Sequence, residues 1–222
     1  MRARALIADM AGTTVEDGGI VLAAFSDALD ALGIEEESDA RLEAITYVVD
    51  TMGRSKIEVF TELFGPERAR DANSAFEAAY VARLETDGAT PIAGVEWLLD
   101  ELPRRGVAVG LTTGFSPATR DALLTSLGWR DVITVAVSPA DAGRGRPHPD
   151  MIFEAARRLG CTDLSSVVVA GDTASDMEAG VAAGAGMVVG VLTGTDSAER
   201  LEGAGATHVL ASLAALPALL DV

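Results

Sequence analysis

The first predicted strand of the chain and the turn that follows it read Leu6-Ile7-Ala8-Asp9-Met10-Ala11-Gly12-Thr13-Thr14-Val15. A short apolar run that stops at an aspartate and a glycine is typical of a central strand in a parallel sheet. Ligands bind outside the carboxyl ends of such strands, so Asp9 is predicted to stand at a crevice as a candidate nucleophile. A lone aspartate after a strand is more often a turn or N-cap residue, and its interpretation therefore depends on the accompanying motifs.

The composition limits the class of protein. Of the 222 residues, 49% are hydrophobic and 23% are charged, which is typical of a globular chain. The net charge of -17 leaves no basic excess for binding nucleic acid. The single cysteine, Cys161, forbids an internal disulfide framework, and neither a signal peptide nor a long apolar span is recognisable. We therefore expect a soluble, cytoplasmic protein that binds neither nucleic acid nor membranes.

The pattern of predicted elements changes along the chain. Residues 16–88 show apolar residues at helical spacing without a strand between them, and the chain then alternates helices with short β-rich runs. The predicted helices of the first part are 20–32, 39–49, 53–63 and 67–84. The predicted strands after the first one are 107–111, 132–137, 166–170, 187–191 and 208–210. Alternation of helix and strand favours right-handed crossovers and a parallel sheet.

The predicted fold class is therefore α/β. We expect a Rossmann-like, doubly wound parallel sheet formed by residues 1–15 and 89–222, with residues 16–88 inserted as an all-helical domain. The aromatic residues, including Trp97 and Trp129, are spaced as core residues, and Phe115 is the one placed to contact a substrate.

A second acidic motif follows another apolar run, in Val167-Val168-Val169-Ala170-Gly171-Asp172-Thr173-Ala174-Ser175-Asp176. Asp172 and Asp176 are four residues apart and are predicted to lie on one face of the first turn of a helix. Carboxylate oxygens are hard ligands that suit Mg²⁺. The alternative is a helix N-cap with an acidic residue that the helix dipole favours.

The chain contains one lysine, Lys56, among 17 basic residues. A lysine amine can lose its proton and attack a carbonyl carbon, whereas an arginine guanidinium stays protonated and cannot. Lys56 is therefore a candidate for covalent chemistry. The alternative is a solvated lysine on a helix surface.

These motifs resemble those of the haloacid dehalogenase superfamily, and the opening Asp-x-Ala-Gly-Thr-Thr resembles its phosphonoacetaldehyde hydrolase branch. Most members of the superfamily have a second aspartate where this chain has Ala11, and they use it as a general acid and base. Alanine cannot protonate a leaving group, so either the activity is impaired or the leaving group is assisted in another way. Met52-Gly53-Arg54-Ser55-Lys56-Ile57 resembles the segment of the branch in which a lysine forms a Schiff base with the aldehyde.

The resemblance implies a role for each matching residue. Asp9 would attack phosphorus, Lys56 would form the Schiff base, and Arg146, in Gly145-Arg146-Pro147-His148-Pro149, would pair with Asp9 and the phosphoryl oxygens. Thr113 would bind the phosphoryl group, because it precedes Gly114, which lets the backbone approach an anion. The implied substrate-binding residues are Thr13, Met52, Thr113, Gly114, Phe115 and Arg146. The implied ligands of Mg²⁺ are Asp9, the Ala11 carbonyl and Asp172, with Asp176 in support.

The resemblance further implies a small phosphonate as substrate, a helical C1 cap over the site and a homodimer. Two residues depart from the branch: Val59 replaces a histidine three residues after the lysine, and Gly19 replaces a linker cysteine. The first interpretation is a hydrolase that cleaves the C–P bond of phosphonoacetaldehyde or a related 2-oxoalkylphosphonate. The second is a phosphatase for a small phosphate ester, in which Lys56 only binds the substrate. A third is a non-catalytic protein that binds a phosphoryl ligand, which the presence of Asp9 disfavours.

Overall fold

In the computed structural model of the protein the described residues are 2–220, so residues 1, 221 and 222 of the predicted sheet domain lie outside them. Within that range six parallel strands form one sheet in the order β3-β2-β1-β4-β5-β6. The strands are β1 (Ala5–Asp9), β2 (Ala108–Thr112), β3 (Ala136–Val137), β4 (Val167–Gly171), β5 (Met187–Val191) and β6 (His208–Leu210).

The described chain also contains nine α-helices and two short 3₁₀ helices, at Leu164–Ser166 and Leu213–Leu219. The α-helices are α1 (Ile20–Ala31), α2 (Asp39–Asp50), α3 (Lys56–Asp87), α4 (Val95–Arg104), α5 (Pro117–Ser126), α6 (Pro139–Ala142), α7 (Asp150–Arg158), α8 (Ala174–Ala183) and α9 (Ala198–Gly203). None of the helices within residues 2–220 has the length and apolarity needed to cross a membrane.

Strand β1 is buried along its whole length because both faces of the sheet are covered. Ala5 and Ile7 belong to one apolar cluster, which includes residues of α7 and α8. Leu6 and Ala8 point the other way and join a second cluster, which includes residues of α4 and α5. An uninterrupted apolar run is what a parallel strand buried on both faces requires. The predicted doubly wound α/β fold is thereby confirmed.

The strand order places the carboxyl end of β1 between those of β2 and β4. Asp9 lies opposite Thr112 in the register of β1 and β2, and Ala8 lies opposite Ala170 in that of β1 and β4. The chain winds away from β1 in both directions, so the β1–β4 boundary is the switch point at which α/β sheets bind ligands.

Three helices, α1 to α3, lie along the chain between β1 and β2. Helix α3 begins at Lys56 rather than at residue 53, because residues 51–54 form turns before it. It continues through both predicted helices, 53–63 and 67–84, and bends at Gly65, whose φ of 75° and ψ of 164° are not helical. Its aromatic residues pack against α1 and against Phe115, which follows β2.

Two predictions about apolar residues are wrong. The strand predicted at 132–137 is limited to Ala136–Val137, because it lies at the edge of the sheet, and Val132 is 54% exposed. Trp97 is 53% exposed and Phe153 is 45% exposed, so neither is a core residue, whereas Trp129 is buried. Helix α4 buries the face that carries Val95, Leu98, Leu99 and Leu102, and Trp97 lies off that face.

We predict that Phe76→Ala destabilises the protein by about 3–5 kcal/mol, the usual range for removing a fully buried ring. Phe76 is 0% exposed and contacts the rings of Phe25, Phe60, Tyr80 and Phe115. The matched control is Phe153→Ala, because Phe153 is 45% exposed and its removal should change the free energy of unfolding little. The measurement is the urea midpoint of unfolding, and equal shifts in the two variants would contradict the packing described for Phe76.

Candidate active site

Asp9 is the last residue of β1 and is 5% exposed. Its Oδ1 lies 2.7 Å from Nη1 of Arg146. The turn after the strand is fixed by Thr14, whose hydroxyl donates to the Asp9 carbonyl over 3.0 Å. Asp9 therefore stands at the carboxyl end of the central strand with one of its oxygens paired to a cation.

Asp172 follows β4 on the other side of the switch point and is 2% exposed. Its Oδ1 accepts from the Thr13 hydroxyl over 3.0 Å, and its Oδ2 accepts from the Thr195 backbone N–H over 2.9 Å. Thr13 was predicted to bind substrate, but in the structure its hydroxyl holds Asp172. The contact with Thr195 comes from the loop after β5, and sequence reasoning missed it because a backbone N–H leaves no side-chain pattern.

Asp176 does not share a helical face with Asp172, and that prediction is wrong. Helix α8 starts at Ala174 with Thr173 as its N-cap, so Asp172 precedes the helix. Asp176 forms a capping box with Thr173, so the N-cap that the sequence offered as the alternative is Thr173 and not Asp172. Its other oxygen pairs with Nη1 of Arg146, so the same side chain both caps α8 and belongs to the acidic site.

The carboxylates of Asp9, Asp172 and Asp176 form one buried cluster, with ligand oxygens within 4.8 Å of one another. Burial raises the pKa of the Asp9 carboxyl to about 8, against the opposing charge of Arg146. Burial, together with the charge of Asp176, raises the pKa of Asp172 to about 7. One guanidinium among three buried carboxylates leaves negative charge to be neutralised. Hard oxygen donors of this kind fit Mg²⁺.

Arg146 is 3% exposed and bridges Asp9 and Asp176 through the same nitrogen, Nη1. Its Nε is buried and has no hydrogen-bond partner within residues 2–220. The neighbouring acids raise the pKa of Arg146 against the effect of burial, which keeps the guanidinium charged. It therefore provides a fixed positive charge with an N–H that no protein group satisfies.

Lys56 is the first residue of α3 and is 7% exposed, so the alternative of a solvated surface lysine is wrong. Its Nζ lies 5.7 Å from the centroid of the Phe25 ring and 5.8 Å from that of Phe115. In the described part of the chain, none of the ion pairs within 4.0 Å involves Lys56. Burial, and secondarily the charge of Arg146, lowers the pKa of Lys56 to about 8.

The segment before Lys56 lies directly on the carboxyl edge of the sheet, and two glycines permit this contact. Gly53 has a φ of +84°, and a Cβ there would lie 2.3 Å from the Thr173 hydroxyl oxygen. A Cβ on Gly114 would lie 2.5 Å from the Arg54 carbonyl oxygen. The Lys56 N–H donates to the Gly114 carbonyl over 3.3 Å. The helical segment is therefore closed onto the acidic site.

A cavity of about 40 Å³ lies between the helical segment and the sheet. The residues predicted for the site that line it are Asp9, Ala11, Met52, Lys56, Thr113, Gly114, Phe115, Arg146 and Asp172. Lining residues that sequence reasoning did not select are Gly12, Asp17, Val21, Gly53, Thr173 and Thr195. The Thr113 hydroxyl accepts from the Phe115 N–H over 3.2 Å, which leaves its hydrogen available to a ligand. The cavity brings a carboxylate nucleophile candidate and an amine together in one small space.

Residues 6–190 match the haloacid dehalogenase-like hydrolase family. A phosphonoacetaldehyde hydrolase from Bacillus cereus strain AH187 is 35% identical over 122 residues, which cover 54% of this chain and 45% of the relative. The chain thus matches less than half the length of that relative. A phosphonoacetaldehyde hydrolase from Lactiplantibacillus plantarum is 29% identical over an alignment 258 residues long, which covers 100% of this chain and 96% of the relative.

Among solved structures, a hydrolase from Pseudomonas syringae has the same fold, with a TM-score of 0.85 and 26% identity. The match covers 98% of each chain. The family match extends from β1 into β5 and includes Asp9, Lys56, Arg146 and both acidic residues that follow β4. The chain belongs to the haloacid dehalogenase-like hydrolase family.

Proposed function

We propose that the protein is a Mg²⁺-dependent hydrolase that cleaves the C–P bond of phosphonoacetaldehyde or a related 2-oxoalkylphosphonate. The observation that carries the proposal is the position of Lys56, a buried amine with a lowered pKa in the same cavity as Asp9. A plain phosphatase would need only the positive charge of Lys56, to bind the substrate anion, and not a neutral amine. The relatives named phosphonoacetaldehyde hydrolase support the same substrate class.

The first chemical step is imine formation at Lys56. The neutral amine adds to the carbonyl carbon of the substrate, the carbonyl oxygen leaves as water, and one proton is taken up to give a protonated imine. The positive nitrogen can accept the electron pair of the C–P bond, because that bond lies β to it. The imine thereby replaces the acid that Ala11 cannot provide.

The second step is attack by Asp9. A carboxylate oxygen of Asp9 bonds to phosphorus in line, the C–P bond breaks, and its electron pair forms an enamine with the imine carbon. Arg146 pairs with the phosphoryl oxygens, and Thr113 and Gly114 donate hydrogen bonds to them. The enamine is protonated on carbon and hydrolysed to acetaldehyde and free Lys56. Water then releases phosphate from Asp9.

The acidic cluster would hold the metal. Asp9, Asp172 and the Ala11 carbonyl are the proposed direct ligands of Mg²⁺, and Asp176 supports the site from its pair with Arg146. Mg²⁺ in such a site supplies positive charge beside the phosphoryl oxygens.

Residues 16–88 would act as a cap domain on a sheet domain of residues 1–15 and 89–222. Lys56 belongs to the helical part and Asp9 to the sheet, so the amine meets the nucleophile only when the two parts are in contact. The close packing of Gly53 on Thr173 and of Gly114 on Arg54 is what we expect of the closed state of such a cap. Opening near residues 16–19 and 87–90 would admit substrate.

A phosphatase acting on a small phosphate ester is the second candidate, and Val59 favours it. Val59 lies one turn after Lys56, is 2% exposed and cannot transfer protons. In that case Lys56 binds a substrate anion and Asp9 keeps its role.

The test of the proposal is phosphate release with Mg²⁺ from phosphonoacetaldehyde, compared with release from p-nitrophenyl phosphate. Clear preference for phosphonoacetaldehyde supports C–P cleavage. Release from the ester alone supports the phosphatase, and release from neither substrate contradicts both.

The first prediction concerns Asp9. Asp9→Asn should lower turnover on either substrate by more than about a thousandfold, because an amide is a far weaker nucleophile than a carboxylate. Asp150→Asn is the matched control, because Asp150 is also paired with an arginine, Arg144 at 2.9 Å, but on the surface. Steady-state phosphate release measures both variants. Activity of Asp9→Asn within about tenfold of the parent would remove Asp9 from its proposed role.

The second prediction concerns the metal. Chelation should stop phosphate release and Mg²⁺ should restore it. Asp172→Asn should raise the Mg²⁺ concentration for half-maximal activity more than Asp176→Asn does, because a direct ligand contributes more than a supporting residue. Thermal unfolding with and without Mg²⁺ gives a second readout, since a bound ion stabilises the folded state. Equal effects of the two substitutions would mean that the ligand assignment is wrong.

The third prediction concerns Lys56. Lys56→Arg keeps the positive charge but loses the nucleophilic amine, so C–P cleavage should disappear while any hydrolysis of p-nitrophenyl phosphate persists. In the parent, kcat/KM for C–P cleavage should fall steeply as the pH drops below about 8 and level off above it, because the Lys56 amine and the Asp9 carboxyl both have a pKa of about 8 and both react in their deprotonated forms. A rising limb that continues toward the ordinary lysine pKa of about 10.4 would contradict the buried amine.

A further inference from the structure

We propose that the aromatic rings of Phe25 and Phe115 hold the positive charge on Lys56 Nζ, as the ammonium of the free protein and as the protonated imine of the reaction. The part of this inference that concerns the protonated imine rests on the proposed function. The sequence did not indicate that either ring would contact the amine. Phe25 lies within the apolar face of α1, and Phe115 was expected only to contact substrate.

The geometry is that of a cation held by two aromatic residues. Lys56 Nζ lies 5.7 Å from one ring centroid and 5.8 Å from the other, within the distance at which a ring attracts a cation. Phe25 is 1% exposed, Phe115 is 2% exposed and Lys56 is 7% exposed, so little of the contact is open to bulk water. An attraction of this kind is strongest where the cation is desolvated.

Neighbouring aromatic residues hold both rings in place. Phe25 packs on Phe60 and Phe76 with centroids 4.9 and 4.6 Å away. Phe115 packs on Tyr80 at 4.6 Å and on Phe76 at 6.2 Å. Phe76 contacts both rings, so the two that face Lys56 belong to one packed unit. Little conformational entropy is lost when they meet a cation, since they are already ordered.

No carboxylate pairs directly with the amine. The ion pairs of the described residues leave Lys56 without a partner within 4.0 Å. The charged groups that face it from further away are Arg146, Asp9, Asp17 and Asp172. A buried ammonium without a partner is costly, and the ring faces offset part of that cost.

The rings suit the proposed reaction better than a carboxylate would. A carboxylate in contact with the imine could accept its proton, and the neutral imine would be a poor acceptor for the C–P electron pair. An aromatic face attracts the charge but takes up neither the proton nor the electron pair. The nitrogen therefore stays positive and electron-poor until the C–P bond breaks.

The test uses the single lysine of the chain. Isotope-labelled lysine gives one side-chain NMR signal, whose titration reports the pKa of Lys56 directly. Mono- and trifluorinated phenylalanine are placed at position 25 or 115, because fluorine withdraws electrons from the ring face while nearly preserving its shape. The matched control carries the same replacement at Phe60, which packs 4.9 Å from Phe25 but is not in contact with Nζ.

The expected result is a stepwise fall in the pKa of Lys56 with fluorination at position 25 or 115, reaching roughly half a unit, or about threefold in the acid dissociation constant. The Phe60 control should leave it unchanged. A pKa that stays constant or rises at both positions would overturn the assignment of the rings. C–P cleavage by the parent is measured in parallel. If the parent does not cleave the C–P bond, the proposed function and the role of the rings toward the imine are both wrong. The NMR titration alone decides whether the rings stabilise the ammonium of the free protein.

Discussion

The ion pairs of Arg146 with Asp9 and Asp176 tie together the parts of the molecule on which the site depends. All three residues are at most 5% exposed, and a buried charge without a partner costs several kcal/mol. Each charge is therefore fixed by the others. Asp9 reaches Arg146 from the end of β1. Asp176 reaches Arg146 from the first turn of α8, where it forms a capping box with Thr173. The relative position of β1, β4 and the Arg146 loop follows from this requirement.

The second constraint is the small space left for a substrate. The segment that precedes Lys56 contacts Gly114 and Thr173, so the cavity beneath it is only about 40 Å³. The charged groups that line the cavity are buried, which strengthens the electrostatic interactions between them. The same burial lowers the pKa of Lys56 and raises that of Asp9. The packing of this segment on the sheet thus accounts for the pKa shifts of both Lys56 and Asp9.

The sequence predicts the fold and much of the site because both depend on local patterns. Apolar runs that end in Asp9 and Asp172 could be placed on buried strands, and parallel strands bring their carboxyl ends to one edge. The role of Phe25 could not be predicted, since a ring in an amphipathic helix looks the same whether it faces a core or an amine. The contact of Thr195 with Asp172 is made by a backbone N–H, which any residue provides. Asp172 was wrongly placed on a helix, because spacing alone does not reveal that Thr173 is the N-cap.

The central claim is that Lys56 meets the substrate carbonyl as a nucleophile beside Asp9. The most direct measurement is mass spectrometry of the protein treated with borohydride in the presence of phosphonoacetaldehyde, because the chain has one lysine and the adduct can be assigned without ambiguity. We predict a single reduced adduct on the peptide that contains Lys56, formed only when the substrate is present. An unmodified Lys56 in an enzyme that still releases phosphate from phosphonoacetaldehyde would contradict it.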